Sequence, residues 1–105
     1  MDASQLIGKF ACQDEVMNIR CWWPKVISIK RATYLRTQSS ICSRSNGGLN
    51  SGGYCDPVAK TSMASSLCDG QVTCSITVNN STMGDHCPDV FKYLSVVYIC
   101  SKSFT

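Results

Sequence analysis

Acid–base chemistry has little to work with in this chain: one histidine, His86, and one glutamate, Glu15, among 105 residues. No Gly-x-Ser-x-Gly elbow, His-Glu-x-x-His pair or phosphate-cradling glycine loop occurs. Asp85 and Asp89 lie close in sequence, yet nothing else marks them as the carboxylate pair of a glycosidase. His86 adjoins Cys87, but a cysteine committed to a bridge is no nucleophile. No catalytic residue is therefore assigned, and the chain reads as a binding domain. Long apolar runs are also lacking: none approaches the ~18–20 residues that cross a bilayer. Met1–Phe10 has no basic start followed by an apolar stretch, so it is not a secretory signal. If the domain is extracellular, its signal segment is absent from this chain.

Closely spaced cysteine pairs are missing too. The nearest, Cys68 and Cys74, are separated by five residues, whereas structural zinc sites usually offer two sulfurs from one tight turn. No metal or cofactor is expected. What the chain does have is an even set of eight cysteines: Cys12, Cys21, Cys42, Cys55, Cys68, Cys74, Cys87 and Cys100. In a short chain this reads as a disulfide framework in an oxidising, extracellular setting. Eight cysteines allow 105 pairings, and spacing alone does not choose among them.

The net charge of +3 is too small to imply nucleic acid. Its distribution is uneven. No acidic residue lies between Glu15 and Asp56, while Arg20, Lys25, Lys30, Arg31, Arg36 and Arg44 all do. These are read first as solvated strand and loop positions. The rival reading is a face for sulfated glycans.

Periodicity supplies the elements. Val16–Cys21 alternates as a half-buried strand that Trp22-Trp23-Pro24 ends, with one indole expected in the core and one at the rim. Val26–Arg31 alternates again, and residues 43–54 form a glycine-rich loop between Cys42 and Cys55. Asp56-Pro57 is read as a helix start, with Ala59, Met63 and Leu67 facing the core and Gly70 closing the helix. Val72–Val78 alternates as a strand. Tyr93–Cys100, apolar on both faces, is expected to be a central strand. The class is α+β: four or five short strands, one main helix and cross-linked loops.

Several motifs recur in one order: Ala11-Cys12-Gln13, Ala32-Thr33-Tyr34-Leu35-Arg36, the Cys68 to Cys74 stretch, Gly84-Asp85-His86-Cys87 and Lys92-Tyr93-Leu94. With all eight cysteines they resemble the rhamnose- and galactose-binding lectin family, which includes sea urchin egg lectin, fish egg lectins and the lectin-like domain of latrophilin receptors. The resemblance covers residues 12–100, leaving 1–11 as an N-terminal extension and 101–105 as a tail. It implies a small β-sandwich-like domain with bridges Cys12–Cys42, Cys21–Cys100, Cys55–Cys87 and Cys68–Cys74. It also implies a metal-free monosaccharide pocket made by Gln13, Tyr34, Asn80, Asp85 and Lys92. There a carboxylate, amides and an ammonium grip adjacent hydroxyls, and the tyrosine ring walls the sugar's C–H face.

The chain departs from the family pattern within that pocket. Gln13 replaces a glutamate, Leu35 a glycine, His86 a proline and Asp89-Val90 a Gly-Thr pair. Asn79 and Asn80 each begin a glycosylation sequon, and a glycan on Asn80 would obstruct the pocket. Expected partners are a carbohydrate or glycoprotein. The alternative is an extracellular adhesion or receptor module that keeps the scaffold and binds a cell-surface protein.

Overall fold

The computed structural model describes residues 5–36, 42, 55–84, 87 and 90–102. The first hydrogen-bonded segment is β1, Ile7–Cys12, which pairs antiparallel with β6, Tyr93–Lys102. The sheet thus reaches past both ends of the span 12–100 that carries the family motifs. A tight turn follows, in which Asp14 has φ 74°, and the chain enters β2, Glu15–Arg20. There Met17 and Ile19 are buried, and Val16, Asn18 and Arg20 face solvent.

β3, Lys25–Arg36, is much longer than its alternation implies. Ile27 and Ile29 point inward, so strict alternation would bury Arg31. A register shift between Ile29 and Arg31 inserts one extra residue. Lys30 and Arg31 both become exposed, and Ala32, Tyr34 and Arg36 turn inward instead. The bulge keeps one charge out of the core and moves another into it.

The expected helix start at Asp56-Pro57 is corrected. Cys55–Ala59 is a strand, β4, paired with β3 through Thr33–Ala59 and Tyr34–Val58. Pro57 is tolerated because β4 is the edge of a sheet ordered β1-β6-β3-β4, where a missing N–H costs no ladder bond. The helix α1 begins later, at Thr61, and ends at Cys68. That start presents Ala64 and Cys68 to the core. Met63 is half-buried, while Ala59 and Leu67 are exposed. Asp69 and Gly70 end the helix, Gly70 at φ +84° as a left-handed cap requires.

β5, Thr73–Val78, pairs with β2 to make a second, two-stranded sheet. A single-turn helix, α2, spans Asn80–Met83. β6 lies between β1 and β3, in the central place its two apolar faces imply. Ala11, Ile29, Ala32, Leu94 and Val96 of the large sheet pack against Met17, Ile19, Ile76 and Val78 of the small one, with Ala64, Cys68 and Met83 closing the core. The arrangement is a small α+β sandwich.

All eight cysteines are bridged: Cys12–Cys42, Cys21–Cys100, Cys55–Cys87 and Cys68–Cys74, with Cα atoms 5.3–5.9 Å apart. These are the pairs implied by the family pattern. Sulfurs so committed are not metal ligands. The peptide bond Trp23–Pro24 is cis. Both indoles are exposed, Trp22 at 72% and Trp23 at 67%, which corrects the expectation that one enters the core. The reason is local: inward-facing Cys21 takes the core position at the strand end through its bridge to Cys100. No described helix is long and apolar enough to cross a membrane.

Candidate functional site

Four of the five residues singled out from the motifs converge at one end of the sandwich. Gln13 comes from the β1–β2 turn, Tyr34 from β3, Asn80 from α2 and Lys92 from the residue that leads into β6. The fifth, Asp85, lies outside the described residues, as do His86 and Asp89.

Backbone pairing sets the first contact. The Gln13 N–H donates to the Lys92 carbonyl at 2.8 Å, and the Lys92 N–H donates to Gln13 Oε1 at 3.0 Å. The side-chain amide thus completes a ladder-like pair where the turn interrupts the sheet. Gln13 is 6% exposed. Glu15, two residues on, accepts from the Cys12 N–H at 2.9 Å and braces the same turn.

Tyr34 and Lys92 are fully buried. The Tyr34 hydroxyl donates to Asn80 Oδ1 at 2.9 Å, and the Lys92 ammonium sits 5.7 Å from the Tyr34 ring centroid. Lys92 Nζ also donates to the carbonyls of Cys87 and Val90, both at 2.9 Å. A buried ammonium is costly unless hydrogen-bonded, and here two main-chain oxygens and an aromatic face compensate it. The expectation that the Tyr34 ring forms an open wall is therefore corrected. The ring is covered, its hydroxyl fixes Asn80, and its face carries the cation. Asn80 is the half-buried member of the group.

Asn79 caps α2: its Oδ1 accepts from the Thr82 N–H at 2.8 Å. The two sequon asparagines therefore differ in role, one holding a helix end and the other bonded to Tyr34.

Arg36 is the participant that residue type concealed. Charge and sequence position group it with the solvated basic residues, yet it is 1% exposed. Its guanidinium donates to the carbonyls of Phe91 and Cys42 and lies 5.5 Å from the Tyr93 ring centroid. Burial pushes its pKa down, and the charge interaction with Tyr93 opposes that shift. Arg36 ties β3, Cys42 and Phe91, the residue before Lys92, together. The signal that could have found it is its even-numbered parity with Tyr34, legible only once the bulge at Lys30 is known.

Among the described residues no buried side-chain nitrogen or oxygen lacks a hydrogen-bond partner. The cluster is thus a satisfied polar network rather than a frustrated one.

Comparison with known proteins accords with this architecture. Residues 19–100 match the family described as D-galactoside/L-rhamnose binding SUEL lectin domain. The chain is 32% identical over 90 residues to a D-galactoside-specific lectin of Heliocidaris crassispina, covering 86% of each chain. It is 33% identical over 92 residues to L-rhamnose-binding lectin ELEL-1 of Echinometra lucunter, covering 87% of each. It is also 33% identical over 100 residues to latrophilin-like protein 1 of Caenorhabditis elegans, covering 94% of this chain and 10% of that protein. The chain belongs to the D-galactoside/L-rhamnose binding SUEL lectin domain family.

Proposed function

We propose that this chain is an extracellular, non-catalytic carbohydrate-binding domain that takes a rhamnose- or galactose-like monosaccharide at the Gln13, Tyr34, Asn80 and Lys92 cluster, with Asp85 contributing. The observation that carries this is the convergence of four side chains from four separate segments, each of them in hydrogen bonds that fix its geometry. Preorganisation of that kind lets a small polar ligand bind without ordering the protein first.

The bonds already made determine what each residue has left to offer. Gln13 Oε1 is taken by the Lys92 N–H and Asn80 Oδ1 by the Tyr34 hydroxyl. With one lone pair of each oxygen so used, the groups these two side chains offer most freely are their amide N–H donors, beside the second lone pair. Asp85, as a carboxylate, supplies the acceptor. Two donors and one acceptor suit adjacent hydroxyls, each of which both donates and accepts. Tyr34 and Lys92 act as positioning residues under this floor. The glutamine at position 13 thus offers a donor where the family's usual glutamate offers an acceptor.

Isothermal titration of the oxidised chain with L-rhamnose and D-galactose tests the reading. Saturable binding of either sugar, lost in Asn80→Ala with the fold retained, is the expected result. Absence of heat with both sugars, together with a protein partner that survives excess sugar, would establish the adhesion-module alternative instead.

A further inference from the structure

The outer face of the small sheet carries a second group of polar side chains, far from the first. Lys92 precedes β6, and the bridge Cys21–Cys100 attaches the end of β2 near the other end of that strand. Gln13 precedes β2 and Asn80 follows β5, so at about 3.3 Å per residue Arg20 and Thr73 stand roughly 23 Å from that cluster, and Asn18 and Ser75 roughly 17 Å. Asn18 lies opposite Ser75, and Arg20 opposite Thr73, so all four side chains share the solvent face. With Ile19 and Cys74 they line an open cleft of about 410 Å³. Among the described residues no carboxylate lines it.

Within the cleft the Ser75 hydroxyl donates to Asn18 Oδ1 at 2.7 Å, which orients the Asn18 amide. Lys9 reaches across from β1 to donate to the Asn18 carbonyl, placing a second cation beside it. Arg20 is exposed, and its guanidinium has no partner among the described residues. The Cys21 N–H donates to the Val72 carbonyl at 2.7 Å, which carries the ladder one residue past Arg20. Cys21 faces inward, and Trp22, two residues past the end of β2, is exposed. The acid in the neighbouring turn, Asp69, accepts from the Ile29 N–H at 2.7 Å and is engaged there.

We propose that this face is a second saccharide site, distinct from the motif cluster, that takes an anionic sugar bearing a sulfate or carboxylate. Arg20 receives the anion in a bidentate pair. Thr73, Ser75 and the Asn18 amide exchange hydrogen bonds with ring hydroxyls, and Trp22 offers an exposed aromatic face to the C–H side of a neighbouring ring. Lys9 adds to the local positive potential.

The test is an NMR titration of the whole oxidised, isotope-labelled chain with three probes: a disulfated heparin disaccharide, N-acetylneuraminic acid and uncharged L-rhamnose. A charged sugar is expected to shift Asn18, Arg20, Thr73, Ser75 and the Trp22 indole. That response should persist in excess rhamnose and weaken as salt rises. Whichever charged probe binds names the anion. Arg20→Ala, at an exposed position, should weaken the response about tenfold, the loss of one charge-assisted contact, and leave rhamnose shifts unaltered. The proposal is overturned if neither charged sugar moves these residues at millimolar concentration, if the shifts fall on Gln13 and Asn80 instead, or if Arg20→Ala changes nothing. Binding of anionic phospholipid vesicles through Trp22 and Trp23 without any saccharide response would likewise overturn it. Failure of rhamnose binding alone leaves the charged-sugar outcome to be read separately.

Discussion

The two ends of β6 treat cations in opposite ways. At one end Lys92 and Arg36 are buried, and each is bonded to main-chain carbonyls and set against a tyrosine ring. At the other, Arg20 stands exposed beside two exposed tryptophans. Charge type alone therefore does not say whether a cation in this domain is buried as a tie or left facing solvent. The buried cations bond to the carbonyls of Cys42, Cys87, Val90 and Phe91, which lie outside the helices and strands, and their own charge is turned away from solvent. The exposed guanidinium has no partner among the described residues, and its charge faces solvent.

Breaking the covalent tie across the sandwich should have the largest effect. Replacing Cys21 and Cys100 together by serine opens a loop of sequence separation 79, at a cost of about 4 kcal/mol by loop entropy. The same change at Cys68 and Cys74, separation 6, should cost about 2 kcal/mol. Urea midpoints of the two variants compare them directly.

Next comes Lys92→Ala, which strands the Cys87 and Val90 carbonyls and leaves a cavity. A loss of about 3 kcal/mol is expected, with sugar binding abolished. Arg36→Ala should destabilise similarly by thermal melting. Tyr34→Phe removes the hydroxyl and its bond to Asn80 while keeping the ring, so about 1 kcal/mol is expected. Its rhamnose affinity should nevertheless fall several-fold, because Asn80 loses its orientation. Equal affinity in Tyr34→Phe would show that the bond is structural only. Arg20→Ala should be smallest, within about 0.5 kcal/mol of the parent, and a larger loss would erase the contrast between the two ends.

Much of this organisation is legible in the residues. β2, β5 and β6 follow from apolar alternation or from a two-faced apolar run, and Gly70 closes its helix as read. The helix start is where local chemistry misleads. Asp56-Pro57 is a good N-terminal pair, but pairing with β3 and the Cys55–Cys87 bridge draw the segment into an edge strand. The helix then begins at Thr61, and its buried face moves from Ala59, Met63 and Leu67 to Ala64 and Cys68. β3 shows a related limit. Its bulge reverses which residues face inward, so the burial of Tyr34 and Arg36 does not follow from counting along the strand. Burial of Lys92 was illegible because its partners, the Cys87 and Val90 carbonyls, belong to irregular backbone that no periodicity describes. That Gln13, Tyr34, Asn80 and Lys92 share one hydrogen-bonded cluster was signalled by motif order, whereas the bonds among them were not.

The central claim is that Gln13 and Asn80, braced by Tyr34 and Lys92, form the neutral-sugar site. It is tested most directly by following backbone and side-chain amide resonances of the oxidised chain during titration with L-rhamnose. Saturating shifts of the Gln13 and Asn80 side-chain amides are expected, with Asn18 and Ser75 unmoved. Shifts confined to the β2–β5 face, or none at saturating sugar, would contradict it.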